Sequence, residues 1–237
     1  MGTGFRTILL TGTVLTLGAL AQAETLNSQL LSQPRIRVDS ISVESGSPNR
    51  LTSLPDYICF IQDLRALKIG ENQMPQLADC SNQLGKSLQL LQIENNPIDN
   101  LGILQNRFPA LTTLILEGVP LSDGLTLAYS ANINQIQVDN CNLGTGPINI
   151  HSNPNLESLT LADCGLDNTA VRSPGFLGGL SGLTFLSLRG NGLSEIPTGL
   201  PFLLSLRTLD LTGNAFTDQQ KAAIRALFSN RDVTIAF

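Results

Sequence analysis

Residues 183–200 read LTFLSLRGNGLSEIPTGL, and this stretch decides the fold. Leu183, Leu186 and Leu188 form an LxxLxL block, Asn191 follows three residues later and Leu193 two after that. Leu206, Leu209, Leu211, Asn214 and Phe216 repeat the offsets one frame on. The alternation is that of a strand, so Leu186 and Leu188 point inward while Ser187 and Arg189 point outward. After the block the chain must turn, and the turn leaves backbone groups unpaired. An asparagine amide at position 191 can donate and accept there. A single unit of this kind cannot bury its own apolar face, so it must stack on copies of itself.

Further blocks start at Leu64, Leu88, Leu111, Ile133 and Leu156, at intervals of 22 to 27 residues up to Leu206. An early block, Val38, Ile41 and Val43, is followed by three extra residues within 45–48, read as a bulge. The position after each turn is Asn49, Asn72, Asn96, Val119, Cys141, Cys164, Asn191 and Asn214. Val119 therefore breaks the ladder, with local softening expected there. The long interval carries 169–182, a glycine-rich excursion read as a tolerated surface loop.

These blocks resemble the leucine-rich repeat. The resemblance implies an α/β solenoid with a curved parallel β-sheet on its concave face and an irregular, 3-10 or short-helical convex side. About eight coils are expected over 36–217, with 24–35 as an N-terminal cap segment. Thr217 or Asp218 caps a helix whose apolar residues are Ala222, Ala223, Ile224, Leu227 and Phe228 and which ends at Asn230. Val233, Ile235 and Phe237 alternate as a last strand. Residues 218–237 are thus expected to form a C-terminal cap, with the chain complete.

Aromatic residues make up only 5% of the 237 and tryptophan is absent, so the core is aliphatic. Residues 1–23 read as a cleaved secretory signal. Arg6 is basic, 7–20 is apolar, and Ala21-Gln22-Ala23 is a cleavage signature. The apolar stretch is shorter than the roughly 20 residues a membrane span needs, and no second one follows. The expected product is secreted and extracellular, or periplasmic or at the cell surface in a bacterium, with no membrane span. Thirteen basic residues against nineteen acidic ones then remain, without basic clusters, which excludes nucleic acid as a partner. No Asn-x-Ser/Thr sequon occurs, which favours a microbial source.

Cys59 and Cys80, on the returning side of adjacent coils, form the pair read as a disulfide. Cys141 and Cys164 share a repeat position and are expected as buried thiols. His151, the single histidine, falls on the convex side with no nucleophile motif beside it. No phosphate-binding glycine loop and no metal-ligand spacing is present. The reading is a non-enzyme with no cofactor and no metal.

Function must then lie in the outward strand positions. Glu44, Glu71, Glu94, Glu117, Asp139 and Asp163 place one acid per coil at the strand ends, and Arg189 reverses the sign. Lys68 lies beside them, and Leu90, Ile115 and Phe185 are expected as exposed apolar contacts. These residues suggest a binding face for a protein or peptide ligand, a basic one, on a monomer. Against this stands the ordinary preference of turns for Asp, Glu, Asn and Gly. Two other functions fit the resemblance. One is an inhibitor or sensor of extracellular hydrolases, like plant proteins whose GxIP signature is matched here only by Glu195-Ile196-Pro197. The other is a structural protein of a wall or matrix.

Overall fold

The computed structural model describes the backbone of residues 6–10, 13–17 and 40–44. It also describes residues 50–237 except 55–57, 59–62, 78–85, 100, 102–107, 128–131, 144–146 and 174. One parallel sheet runs through the chain. Its strands are β3 (Ser40–Glu44), β4 (Ala66–Gly70), β5 (Leu90–Glu94), β6 (Thr113–Glu117), β8 (Gln135–Asp139), β10 (Ser158–Ala162), β11 (Phe185–Ser187), β12 (Thr208–Asp210) and β13 (Thr234–Ala236). They pair in chain order, each parallel to the next. On the other side β7 (Leu125–Thr126) and β9 (Ile148–Asn149) form a second, two-stranded parallel pair. Among the described residues, α-helices α1 (Asn168–Arg172) and α2 (Asp218–Leu227) and a 3-10 turn at Leu200–Phe202 also lie outside the sheet.

The register explains the core. Leu67, Leu91, Leu114, Ile136, Leu159, Leu186 and Leu209 are mutual partners across the strands. Each is fully buried. A second column two residues on (Ile69, Ile93, Leu116, Val138, Leu161, Leu188, Leu211) is buried beside it. Burying one such side chain contributes roughly 1.5–3 kcal/mol, and every member of a column is covered by members of the neighbouring coils. The sequence expectation of one aligned aliphatic column is met.

Asparagines close the turns. Asn72 accepts from Leu51 N–H of the preceding coil at 3.0 Å and donates to Gly70 C=O at 2.7 Å. Asn96 accepts from Met74 N–H and donates to Glu94 C=O. Asn191 accepts from Cys164 N–H at 3.0 Å and Leu166 N–H at 3.2 Å, and donates to the carbonyls of Leu161, Leu188 and Arg189. Asn214 repeats the pattern with Leu193 N–H. Each amide therefore ties its own turn to the coil before it.

At Val119, Cys141 and Cys164 the donors find other partners. Leu121 N–H donates to Ile98 C=O, Asn142 N–H to Pro120 C=O and Leu143 N–H to Cys164 C=O, at 2.9–3.2 Å. Cys141 and Cys164 do not stand as free thiols, contrary to the sequence reading. Their coils stack with the two Cα atoms 4.5 Å apart, and the sulfurs are joined in a disulfide. Two cysteines at one repeat position on adjacent coils meet the distance that a bridge requires. Cys59 and Cys80 lie outside the described residues, as do 24–35 and 45–48.

Three other differences are informative. The excursion at 169–182 is more than a surface loop. It holds most of α1 and drives Val171, Phe176, Leu177 and Leu180 into the core. A Cβ on Gly199 would stand 2.5 Å from Phe176 C=O, so the next coil closes onto this segment without room for a side chain. Helix α2 ends at Leu227, before Asn230, and buries only Ile224 with Phe228 just beyond it. Ala222, Ala223 and Leu227 are exposed. A capping box between Thr217 and Gln220 starts this helix.

The third difference is at the N-terminus. Residues read as outside the fold form a hairpin, β1 (Arg6–Leu10) with β2 (Thr13–Leu17), and β1 adds antiparallel to β3. An apolar, threonine-rich stretch has high strand propensity, and β3 offers an open row of backbone donors and acceptors.

Replacing Asn191 by Ala leaves two buried N–H groups and three carbonyls to find new partners. The expected loss is about 2–3 kcal/mol, read as a lower urea midpoint, and it should exceed the loss for Asn214→Ala in the less buried terminal rung.

Candidate binding face

The outward side chains of the sheet form three rows. The first carries Leu90, Thr113, Gln135, Ser158 and Phe185 in register. The second carries Lys68, Gln92, Ile115, Gln137, Thr160, Ser187 and Asp210. The third register row, at the ends of the strands, runs Gly70, Glu94, Glu117, Asp139 and buried Ala162, with Glu44 in line by backbone register alone.

This register divides the six acids that the sequence placed in one column. Glu94, Glu117 and Asp139 are direct neighbours on β5, β6 and β8, and Glu44 shares their row by backbone register. Glu71 and Asp163 stand one residue later, opposite Asn95, Gly118, Asn140, Gly190 and Gly213 of the other coils. All seven of these residues have φ between 47° and 70°. That left-handed region favours Gly, Asn and Asp. Glu71, Asn95, Gly118 and Asn140 send a backbone N–H to the third-row carbonyl of the next coil, as in Glu71 to Glu94 and Asn95 to Glu117, and Asp163 and Gly190 donate to Arg189 and Thr212 C=O. Asp163 is thus a turn residue. Its carboxylate accepts from Arg189 Nη2 at 2.8 Å and lies over Gly190, where any Cβ would collide with it. Glu71 sits at the same turn position and carries a longer side chain than the position prefers.

The third-row acids differ. They sit in extended strand, where any residue is allowed, and none of the three forms an ion pair among the described residues. Gln92 donates to Glu94 Oε1, and Gln137 donates to Asp139 Oδ2 at 2.7 Å. The second row thereby orients the third through neutral amides that leave the negative charge in place. Glu117 is exposed between them, with Ile115 rather than a glutamine two residues before it. Lys68 is exposed on β4, one strand to the side of Gln92.

Leu90, Ile115 and Phe185 are half-buried, not freely exposed as the sequence suggested. Neighbours about 4.8 Å away on each side cover much of an outward residue in a parallel sheet. Leu90 and Ile115 lie diagonally on adjacent strands and share one surface; Phe185 is remote, on β11. Among the described residues the exposed large apolar side chains are instead Phe202, Leu204 and Leu227, off the sheet. Sequence reading missed them because Phe202 and Leu204 flank the buried Leu203 in an unbroken apolar run. His151 is half-buried and its Nδ1 lies 3.1 Å from Ser152 Oγ. Among the described residues no group of three His, Cys, Asp or Glu side chains is placed to hold a metal ion.

Past Arg189 the face changes character. Asp210 on β12 accepts from Thr212 N–H at 3.0 Å, Thr212 Oγ1 at 2.7 Å and Ser187 Oγ at 3.1 Å. Partial burial works against its charge. The Thr212 and Ser187 hydrogen bonds and the Arg189 charge outweigh it and hold the carboxyl below its usual range. A folded-state pKa below the unfolded value stabilises the fold above about pH 4. That contribution is lost as pH falls through the folded value. The urea midpoint of Asp210→Asn should therefore lie below wild type at pH 7, with the gap closing as pH falls below the ordinary carboxylate range.

No protein-family model matches the chain, and no curated protein matches it significantly. Solved structures do. A leucine-rich-repeat protein of Leptospira interrogans aligns over 80% of the chain and 53% of its own length, at 21% identity and a TM-score of 0.52. An internalin of Listeria monocytogenes aligns over 92% of the chain and 62% of its own length, at 19% identity and a TM-score of 0.60. The chain thus spans less than two thirds of either protein. Likeness of this kind speaks for architecture, and with the aligned columns and the asparagine ladder it identifies the chain as a leucine-rich-repeat solenoid.

Proposed function

We propose that the protein is an exported, non-enzymatic binding module that takes a protein or peptide ligand with a basic segment on its exposed sheet face. The observation that carries this reading is the row Glu94, Glu117 and Asp139. Adjacent strands are about 4.8 Å apart, and like charges at that spacing repel by roughly 1 kcal/mol in water. Nothing in the backbone demands acids there, because the left-handed turn falls one residue later. A cationic ligand removes the repulsion, and half-buried Leu90 and Ile115 beside the row offer it apolar contact. Lys68 at the N-terminal side and Arg189 at the C-terminal side bound the negative stretch and set its polarity. The leader-like composition of residues 1–23 supports export, and their cleavage would take β1 and β2 away and leave β3 at the edge of the sheet. No helix among the described residues is long and apolar enough to cross a membrane.

The test is binding of a lysine- and arginine-rich peptide library against an acidic one, followed across a salt series. Wild-type protein should bind the basic set and release it as salt rises, whereas Glu94→Lys combined with Glu117→Lys should weaken binding about tenfold or more. Equal binding of both sets, or the same salt response in the double variant, would show the row to be inert.

A further inference from the structure

The asparagine ladder is interrupted for three successive junctions. Asn96 ties its coil backward to Met74, and the next asparagine at a rung position is Asn191, which ties to Cys164 and Leu166; away from the rungs, buried Asn153 donates to Leu127 C=O of the coil before it. Between them the rungs are Val119, Cys141 and Cys164, all buried. Valine can offer no hydrogen bond, and at the Val119 and Cys141 rungs themselves only backbone bonds and packing remain, with Ser122–Asp99 and Asn153–Leu127 hydrogen bonds elsewhere on the same two junctions. The junction between the coils of Cys141 and Cys164 has a covalent link in place of an amide.

We propose that the Cys141–Cys164 disulfide is a redox-sensitive rung, substituting for the missing asparagine and locking the middle of the solenoid only when oxidised. Reduction by a small dithiol delivers two electrons and two protons. A reductant thiolate attacks Cys141 Sγ, the less buried of the pair, and the S–S bond breaks with Cys164 leaving as thiolate. The second reductant thiol then attacks the mixed disulfide, closing a cyclic disulfide and leaving two protein thiols. Neither thiol reproduces the paired donation and acceptance of an asparagine side chain. The run of junctions with neither an asparagine nor a covalent link at the rung grows from two to three. In a solenoid each coil is held by its immediate neighbours, so the loosening stays local. Asp139 stands two residues before Cys141, and reduction therefore also loosens one end of the acidic row. That consequence rests on the binding reading above, whereas the rung itself does not.

Hydrogen exchange read by peptide mass, which needs no ligand, tests the rung directly. Thiol alkylation after denaturation, mapped to Cys141 and Cys164, reports whether the pair is bridged or reduced. On reduction, amides of 135–166 should exchange about tenfold faster or more, while those of 185–227 hold their rates. Cys141→Ala with Cys164→Ala should exchange fast in both conditions. Cys141→Asn with Cys164→Asn, which restores amides to both rungs, should be slow in both. If the asparagine pair fails to fold, the alanine pair decides: protection equal to that of the oxidised wild type overturns the proposal. So do two free thiols at these positions under oxidising conditions, an unchanged rate in 135–166 after verified reduction, or an equal rise in every coil.

Discussion

Everything in this molecule depends on the fact that no coil is complete by itself. A turn of roughly two dozen residues contributes one short strand and one strip of leucines, and it leaves backbone donors and acceptors pointing along the solenoid axis. Water cannot reach them once the coils stack, so the next coil must meet them. The buried amide of Asn191 does this in both directions, with its oxygen taking N–H groups from the coil before and its nitrogen serving carbonyls of that coil and its own turn. Stacking buries the leucines only if the coils share one register, and the amides act within that same register. Packing and hydrogen bonding thus select one arrangement together.

This dependence assigns different duties to neighbouring positions of the repeat. The two aliphatic positions of each strand are committed to the core. The residue ending the turn is committed to the rung, and the residue before it must accept a left-handed backbone, which is why Gly118, Gly190 and Gly213 alternate there with Asn95 and Asn140. The outward positions carry no such duty. Where the rung is not asparagine, the load on neighbouring coils is redistributed: Leu143 N–H goes to the carbonyl of Cys164, and the two cysteines join their coils covalently.

Much of this was legible in the sequence because a period is a collective signal. Leu114, Ile136, Leu159 and Leu186 each say little, yet their common interval places them in one column. Features set by a single residue's surroundings were harder to read. An acid in the left-handed turn and an acid in the strand before it differ by one position, and only the register separated Asp163 from Asp139. The half-burial of Leu90 and Ile115 depends on strand spacing and not on their own type. Phe176 looked like part of a glycine-rich loop because its partners, the coil closing at Gly199, lie more than twenty residues away. The disulfide was a matter of which of two chemistries a shared rung would adopt, and the spacing permitted both.

The same division of duties gives a criterion for function in a fold that repeats one motif. A residue required by the coil carries no message about a partner, however regularly it recurs. Asn191 and Gly190 fall in that class, and so does Asp163, whose charge is already met by Arg189. What remains after these are set aside is small: Glu94, Glu117 and Asp139 on allowed backbone, aligned, unneutralised and oriented by neutral glutamines on two of the three strands. Their mutual repulsion opposes the fold slightly, so the solenoid itself gives no reason for them. On the function proposed above, an unfavourable row at positions free to hold any residue is kept for a ligand outside the chain.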